Sequence, residues 1–243
     1  MYLEGKNAVL EALRAGTPLQ QLLLFDGARP DGALNEIVRR AGQASVPVTR
    51  MSRRKLDELS ERGKHQGVMA QVAPFEYTPL PRILDAVDTV ANALIIVLDH
   101  VVDPVNVGAI ARTAEVVGAA ALVIADRRAA AITPAAHKAA AGALNHLPVA
   151  RVTNITRVIE QLQQAGFWVA GADGSADTLA WDAALTGKIA LVMGSEGTGL
   201  ARLVRERCDF LVKLPQHGRI GSLNVSQATC ALAYEWLRQN RVT

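Results

Sequence analysis

The residues best suited to chemistry lie in short polar segments that follow apolar stretches. The first, DPVNVGAIARTA (103–114), carries Asn106 and Arg112, and an amide with a guanidinium can hold a phosphate or a ribose hydroxyl. The second, GSEGTG (194–199), is a glycine-rich turn with one carboxylate, Glu196. Both follow predicted strands, and open α/β sheets bind ligands where their strands end. The functional interpretation is that these three polar side chains face one crevice.

Both segments also have a structural interpretation. A tight turn between a strand and a helix favours glycine and an acidic or hydroxyl residue at the helix start, which would account for 194–199. Arg112 would then form only a surface pair with Glu115, worth about 0.2–0.5 kcal/mol. For each motif taken alone, this alternative stays open.

A third polar segment is LPQHGRIGSLNVSQA (214–228), which joins a strand end, a loop and a long apolar helix. Ser222 is predicted to cap that helix, with Asn224 on its first turn. Such groups are often just the cap of a core helix. The loop at 216–221, however, contains two glycines, which let a backbone approach a ligand closely.

The elements that position these segments fall into two groups. Residues 5–72 alternate short helices and strands, which predicts a small α/β layer domain. From about residue 89 the strands become nearly continuous apolar runs, typical of a parallel sheet covered on both faces. The predicted strands are 93–99, 120–126, 167–173, 188–194 and 210–215. This second alternation predicts a doubly wound α/β domain.

Three prolines between residues 74 and 81 separate the two groups. Proline lacks an N–H and fixes φ, so neither a helix nor a central strand is expected to propagate there. We therefore expect a first domain at 1–73, a linker at 74–88 and a second domain at 89–243. In the second domain, the alanine-rich stretch 129–144 predicts a helix packed closely on a neighbour.

Composition narrows the possible classes of protein. Half of the 243 residues are apolar, which excludes disorder as the main state. No apolar run approaches the roughly 18–20 residues of a membrane-spanning helix, and no secretory signal is visible, so we expect a cytoplasmic protein. Two cysteines and five scattered histidines give no disulfide framework and no zinc-ligand spacing, so we expect no metal. Dinucleotide, P-loop and esterase motifs are absent.

The net charge of +3 permits a nucleic-acid partner but does not establish one. A basic cluster in the first domain has the residue types that contact phosphates. It consists of Arg50, Arg53, Arg54, Lys55, Arg62 and Lys64. Because residues 1–88 hold 12 basic and 11 acidic side chains, a solvated helix face is the favoured interpretation. Only ten residues are aromatic, so we do not expect a base-stacking platform as the main recognition device.

Taken together and in order, the three polar segments resemble the motifs of the SpoU family of RNA ribose 2′-O-methyltransferases, also called the SPOUT class. The family's motifs appear as 103–114, as LVMGSEGTGL (191–200) and as 214–228. The first domain carries EGKNAVLEAL (4–13) and HQGVMAQV (65–72). These look like the amino-terminal domain of the branch that modifies a guanosine in the peptidyl-transferase loop of 23S rRNA. The resemblance covers nearly the whole chain.

The resemblance implies a fold, a cofactor and partners. It implies a small, ribosomal-protein-like α/β domain that binds RNA, followed by a parallel-sheet α/β domain with a deep trefoil knot. It also implies a homodimer and a pocket for S-adenosylmethionine formed mostly of backbone, from loops 192–199, 213–220 and 222–225. The alternatives are the same chemistry on another rRNA site or on tRNA, and a non-catalytic RNA-binding protein of ribosome assembly.

The resemblance further implies roles for single residues. Those placed against the cofactor are Gly194, Leu214 and Leu223, and those placed around the reacting centre are Asn106, Arg112, Glu196, Ser222 and Asn224. We hypothesise that Arg112, with a neighbouring RNA phosphate, orients the 2′-hydroxyl and assists its deprotonation, while Asn106 and Glu196 fix Arg112. Gln216, His217 and Gln227 depart from the family pattern, which leaves the details of the substrate open.

Overall fold

The computed structural model describes residues 2–60, 63–219 and 221–240. The chain divides into two units, Met1–Phe75 and Glu76–Thr243. Arg62 of the predicted basic cluster and Ile220 of the third polar segment lie outside the described residues. No helix within the described ranges is long and apolar enough to cross a membrane.

The first unit is built on a four-stranded sheet with the order β1-β4-β2-β3. Its strands are β1 (Tyr2–Glu4), β2 (Leu19–Phe25), β3 (Val48–Met51) and β4 (Val68–Val72), and its helices are α1 (Lys6–Arg14), α2 (Gly32–Gln43) and α3 (Arg53–Leu59). β4 runs antiparallel to β1 and β2, whereas β2 and β3 are parallel. The predicted alternation of helices and strands is confirmed, with β1 as an additional strand.

The two faces of strand β2 explain the layers of this unit. Leu22 and Leu24 point to one face, where they form a core with Val9 and Ile37 of helices α1 and α2. Leu23 points to the other face and packs with Leu56 and Met69, so that α3 covers that side. Alternating side chains of one buried strand thus hold helices on both faces of the sheet.

The second unit is built on a six-stranded sheet in which every registered pair is parallel, as predicted. Its strands are β5 (Ala93–Leu98), β6 (Ala121–Ala125), β7 (Val149–Val152), β8 (Trp168–Ala172), β9 (Lys188–Met193) and β10 (Phe210–Val212). Its helices are α4 (Leu80–Ala86), α5 (Pro104–Val116), α6 (Pro134–Ala140), α7 (Ile155–Gln164), α8 (Arg202–Arg207) and α9 (Val225–Gln239). The strand order is β10-β8-β9-β5-β6-β7. The trefoil knot stays a prediction.

The structure differs from the predicted linker. Helix α4 begins at Leu80, and Pro81 stands in its first turn, where the missing N–H would have no helical partner in any case. Leu80, Ile83 and Val87 are buried in the core of the second unit. The prolines therefore start a core helix, and the division between units falls between Phe75 and Glu76.

Strand β5 and its helix α5 occupy the centre of the second unit. Ile95 and Val97 of β5 pack in one core cluster with residues of α4, α7 and α8, and the residues between them face the opposite side. There α5 packs against α6, the helix predicted in the alanine-rich stretch. A Cβ placed on Gly108 would lie only 2.3 Å from the carbonyl oxygen of Ala136. Glycine and alanine thus permit the close contact that positions α5.

Candidate active site

A cavity of about 650 Å³ opens at the carboxyl edge of the parallel sheet. Its walls come from the ends of β8, β9 and β10, from the segment before α9 and from the first turns of α9. Its apolar lining includes Met193, Val212, Leu214, Leu223 and Leu232. Two carboxyl groups, from Asp173 and Glu196, also line it. The cavity thus combines apolar walls with two carboxyl groups and several glycines.

The glycine-rich turn after β9 forms one wall. Ser195 and Gly199 exchange two backbone hydrogen bonds of 3.0 Å, and the hydroxyls of Ser195 and Thr198 are 2.6 Å apart. A Cβ on Gly194 would lie 2.2 Å from the carbonyl carbon of Gly199. Gly194 is therefore required by a close backbone approach inside the turn.

Asp99, which directly follows β5, holds both ends of this turn and is fully buried. Its backbone N–H donates to the carbonyl of Met193 over 2.8 Å, and its Oδ2 accepts from the N–H of Ala201 over 2.7 Å. His100 Nδ1 donates to Oδ1 over 2.5 Å. Sequence analysis missed this role, for which the only signal was a carboxylate at the end of an apolar strand.

Three predicted residues form one hydrogen-bonded cluster beside the cavity. Asn106, which is 6% exposed, donates from Nδ2 to Oε1 of Glu196. Asn224 Nδ2 donates to Asn106 Oδ1 and to Glu196 Oε1, each over 3.0 Å. The cluster joins the starts of α5 and α9 to the glycine-rich turn, so that Asn106 and Glu196 of the expected crevice meet, with Asn224 as the third member.

The cap of α9 differs from the prediction by two residues. Asn224 is the capping residue, and its Oδ1 accepts from the backbone N–H of Ser226 over 2.9 Å. Ser222 instead lies in the segment before the helix and lines the cavity, together with Leu223. The Asn224 side chain thus caps α9 through Oδ1 and joins the cluster with Asn106 through Nδ2.

Arg112 does not reach the cavity of its own chain. It lies eight residues beyond Pro104, about 12 Å along α5, and about 120° around the helix from Asn106. Its side chain is exposed, and among the described residues it forms no ion pair, so the surface pair with Glu115 is also absent. The hypothesis that Asn106 and Glu196 fix Arg112 is wrong within one chain, because those two side chains bind each other.

Asp173, at the end of β8, is a second site residue that sequence analysis missed. Its Oδ1 accepts from the N–H and hydroxyl of Ser175, and its Oδ2 accepts from Arg205 Nε over 2.6 Å. Burial opposes ionisation, but these hydrogen bonds outweigh it and hold the pKa of Asp173 below its ordinary value. Asp173 is therefore ionised at neutral pH, and its negative charge at the cavity wall is compensated by the ion pair with Arg205. The motif FWVAGAD ends in aspartate as ALIIVLD does, which was the available signal.

These features fit S-adenosylmethionine. Apolar walls suit an adenine, carboxylates suit ribose hydroxyls and a sulfonium cation, and the volume falls within the roughly 300–1,000 Å³ of small-ligand pockets. Gly194, Leu214 and Leu223, the residues predicted to contact the cofactor, all line the cavity. Among the described residues no group of three or more potential metal ligands is found.

Comparisons with known proteins agree with this arrangement. Residues 93–234 match the model of the SpoU rRNA methylase family, and residues 2–78 match the model for RNA 2′-O ribose methyltransferase substrate binding. The chain is 42% identical to the 23S rRNA (guanosine-2′-O-)-methyltransferase RlmB of Pseudomonas putida, over 92% of this chain and 90% of that protein. It is also 42% identical to YacO of Bacillus subtilis, assigned to the TrmH family of tRNA/rRNA methyltransferases, over 98% of this chain and 95% of that protein.

A solved structure extends the comparison to the fold. The SpoU methyltransferase AviRb of Streptomyces viridochromogenes, in complex with the cofactor AdoMet, superposes with a TM-score of 0.71. The match covers 99% of this chain and 91% of that chain at 26% sequence identity.

The parallel-sheet unit, its cavity and the matched substrate-binding unit define an RNA 2′-O-methyltransferase that uses S-adenosylmethionine. The chain belongs to the SpoU rRNA methylase family. Its substrate is rRNA or tRNA.

Proposed function

We propose that the chain methylates the ribose 2′-hydroxyl of a guanosine in the peptidyl-transferase loop of 23S rRNA. The observation that carries this proposal is the 42% identity to RlmB of P. putida, a 23S rRNA guanosine-2′-O-methyltransferase, over 92% of the chain. The similarity includes the first unit, which matches a substrate-binding model over residues 2–78. Because the substrate is RNA, the same proposal places the enzyme in the cytoplasm.

The cavity residues have separate tasks in this proposal. Gly194, Leu214 and Leu223 hold the cofactor, and the Asp173 carboxylate faces its polar groups. S-adenosylmethionine, when bound there, supplies an activated methyl group. The cluster of Asn106, Glu196 and Asn224 keeps the glycine-rich turn and the start of α9 in one geometry, while Ser222 shapes the adjacent loop. Positioning of this kind supplies much of the reduction in the barrier.

Arg112 is proposed to act across the interface of a homodimer. Val105, Arg112 and Val116 are spaced seven and four residues apart and share one exposed face of α5. The two valines are 51% and 59% exposed, although they are apolar. A self-association along this face would cover them and would bring Arg112 toward the cavity of the other subunit. Because a guanidinium is a donor that keeps its protons, its task is to orient the hydroxyl together with an RNA phosphate.

Methyl transfer from radiolabelled cofactor tests the target. We expect label in a 23S rRNA fragment that contains the peptidyl-transferase loop, none in tRNA, and none in the fragment when the target guanosine carries a 2′-deoxyribose. Label in tRNA or at another rRNA position would contradict the proposed target but leave the chemistry intact.

Mixed dimers test the role of Arg112. Arg112→Ala is expected to lose turnover, and a cavity variant, Gly194→Ala, is expected to lose it at a cofactor concentration far below its raised Kd. Randomly mixed subunits should regain about a quarter of wild-type activity, because half of the dimers then carry one intact site. Turnover by Arg112→Ala alone, or a failure of mixing to restore any activity, would contradict an arginine that acts from the other subunit.

A further inference from the structure

The first unit contains a cleft of about 340 Å³ that has no part in the methyl-transfer site. It lies between the start of α1, the end of β2, the loop before α2, the start of α3 and the turn before β4. The side chains that line it include Lys6, Phe25, Arg29, Asp31, Arg53 and Gln66. The family model assigns substrate binding to this unit as a whole, over residues 2–78.

The cleft carries a surplus of positive charge. Lys6 pairs with Asp31, and hydrogen bonding from Lys6 and from the backbone of Leu34 holds the pKa of Asp31 below its ordinary value. Among the described residues that line the cleft, Asp31 is the one carboxylate, and Lys6 neutralises it. Arg29 and Arg53 are exposed, and no carboxylate within the described residues pairs with either of them. Two guanidinium groups thus remain available for an anionic ligand.

The floor of the cleft is held in place by a buried histidine. His65 is 3% exposed, its Nδ1 accepts from the N–H of Gly67 over 3.0 Å, and its Nε2 donates to Asp57 Oδ1 over 2.8 Å. These bonds hold the turn at residues 66–67, where Gln66 has a φ of 52°. The cleft is consequently shaped before any ligand arrives, which lowers the entropic cost of binding.

The aromatic wall is equally constrained. The backbone N–H of Phe25 donates to the carbonyl of Gly67 over 2.9 Å. A Cβ on Gly27 would lie 2.7 Å from Cζ of Phe25, so the ring rests directly against that glycine. The ring also packs against the core of Leu23, Leu56 and Met69. Phe25 therefore gives the cleft a fixed aromatic wall, and the two arginines line the same cleft.

We propose that this cleft binds one unpaired nucleotide of the RNA substrate, with Arg29 and Arg53 on its phosphates and Phe25 against its base. The inference rests on the proposed function only in that the substrate is RNA. A cleft of this volume is too small for a duplex, and proteins recognise RNA sequence mainly through unpaired bases held by aromatic rings and arginines. One aromatic residue at one cleft is also consistent with the low aromatic content of the chain.

The basic cluster of α3 supplies a matched pair of residues for the test. Arg53 lines the cleft, whereas its neighbour Arg54 points away and pairs with Glu58 over 3.0 Å. Arg54 thus fits the interpretation of this cluster as a solvated helix face, whereas Arg53 is exposed at the cleft itself. Arg53→Gln and Arg54→Gln remove the same charge from adjacent positions of one exposed helix.

The experiment measures binding of the full chain to a 23S rRNA fragment between 50 and 200 mM KCl, roughly the span over which phosphate contacts are lost. Arg29→Gln and Arg53→Gln are each expected to weaken binding by up to about fivefold and to lower the slope of log affinity against log salt by about 0.7. Arg54→Gln should leave both unchanged. Phe25→Leu should weaken binding without changing the slope, because it removes a base contact but no charge. Urea unfolding of the same variant measures what the lost packing against Leu23, Leu56 and Met69 costs.

Methyl-transfer kinetics separate this inference from the proposed function. The arginine variants should raise KM for RNA with unchanged kcat and unchanged cofactor affinity. Equal effects of Arg53→Gln and Arg54→Gln would overturn the proposal that the cleft binds a nucleotide. A wild-type KM in both Arg29→Gln and Arg53→Gln would do the same, and either result would leave the methyl transfer established. A wild-type chain that binds the fragment through the cleft but incorporates no label would instead overturn only the proposed target. Absence of RNA binding by the wild-type chain would overturn the proposal that the cleft binds a nucleotide.

Discussion

Replacing Gly194 by alanine is expected to force the glycine-rich turn open and to weaken the binding of S-adenosylmethionine. The added Cβ would lie 2.2 Å from the carbonyl carbon of Gly199 and 2.4 Å from the nitrogen of Leu200. Ordinary van der Waals contact begins at 3.4 Å, so the two backbone segments must separate by about 1.2 Å. The colliding atoms are backbone atoms held by two hydrogen bonds to Ser195, so no side-chain rotation relieves the collision.

The size of the effect follows from the cost of overpacking, which is about 1–3 kcal/mol for inserted methyl-sized groups. If the turn opens in the free enzyme, it must close again when the cofactor binds, because Gly194 and Glu196 both line the cavity. The same free energy then appears as an increase in Kd of about 5- to 140-fold. If the turn stays closed, the cost appears as a loss of unfolding free energy.

Isothermal titration with S-adenosylmethionine and urea unfolding of the same samples measure both quantities. Gly221→Ala is the matched control, because Gly221 also lines the cavity but a Cβ there would meet no atom within 4 Å. We expect this control to bind within about twofold of the wild type. Wild-type affinity together with wild-type stability in Gly194→Ala would refute the reasoning, and equal losses in both variants would show that the collision is not their cause.

Two further predictions concern residues away from the cavity: the first compares a glycine in each unit, and the second concerns the thiol of Cys208. Gly108→Ala should lower the unfolding free energy by about 1–3 kcal/mol, because its Cβ would collide with the Ala136 carbonyl. Gly42→Ala, at a position of α2 where a Cβ meets no atom within 4 Å, should raise the unfolding free energy by about 0.5–1 kcal/mol, because alanine loses less backbone entropy than glycine in a helix. Urea unfolding checks both, and an equal effect of the two substitutions would contradict the close α5–α6 contact. Burial, with the nearby charges of Asp209 and Asp99, raises the pKa of Cys208 to about 12. Because the fold favours the protonated thiol, the stability that Cys208 contributes is fully present below pH 9.0, its ordinary pKa, and is lost as pH rises toward 12. Alkylation of native Cys208 at pH 8, followed by peptide mass spectrometry, should be slow because about one thiol in ten thousand is ionised, and rapid labelling would contradict this.

The two strands that sequence analysis missed share a physical cause. β1 and β7 are only three and four residues long and partly exposed, so neither shows an apolar pattern by itself. Each becomes a strand through pairing with a longer neighbour, β4 or β6. Helix α4 was missed for another reason, since proline interrupts a helix interior but is well tolerated in the first turn.

What the sequence determined by itself is local. Apolar periodicity indicated the alternation of helices and buried strands. The glycines and polar residues at 194–199 and 214–228 predicted a ligand site, and residues of both segments line the cavity. These features depend on neighbours within a few residues, so they can be recognised in any stretch of chain that carries them.

The tertiary structure decided which of these residues meet. Asn106 binds Glu196, 90 residues away, because β9 lies next to β5 in the sheet, and Asp99 holds Ala201 across 102 residues for the same reason. Strand order arises from the packing of the whole unit and leaves no local pattern. The orientation of α5 likewise turns Arg112 away from the cavity of its own chain, because the buried face of that helix is set by its contacts with α6 and α9.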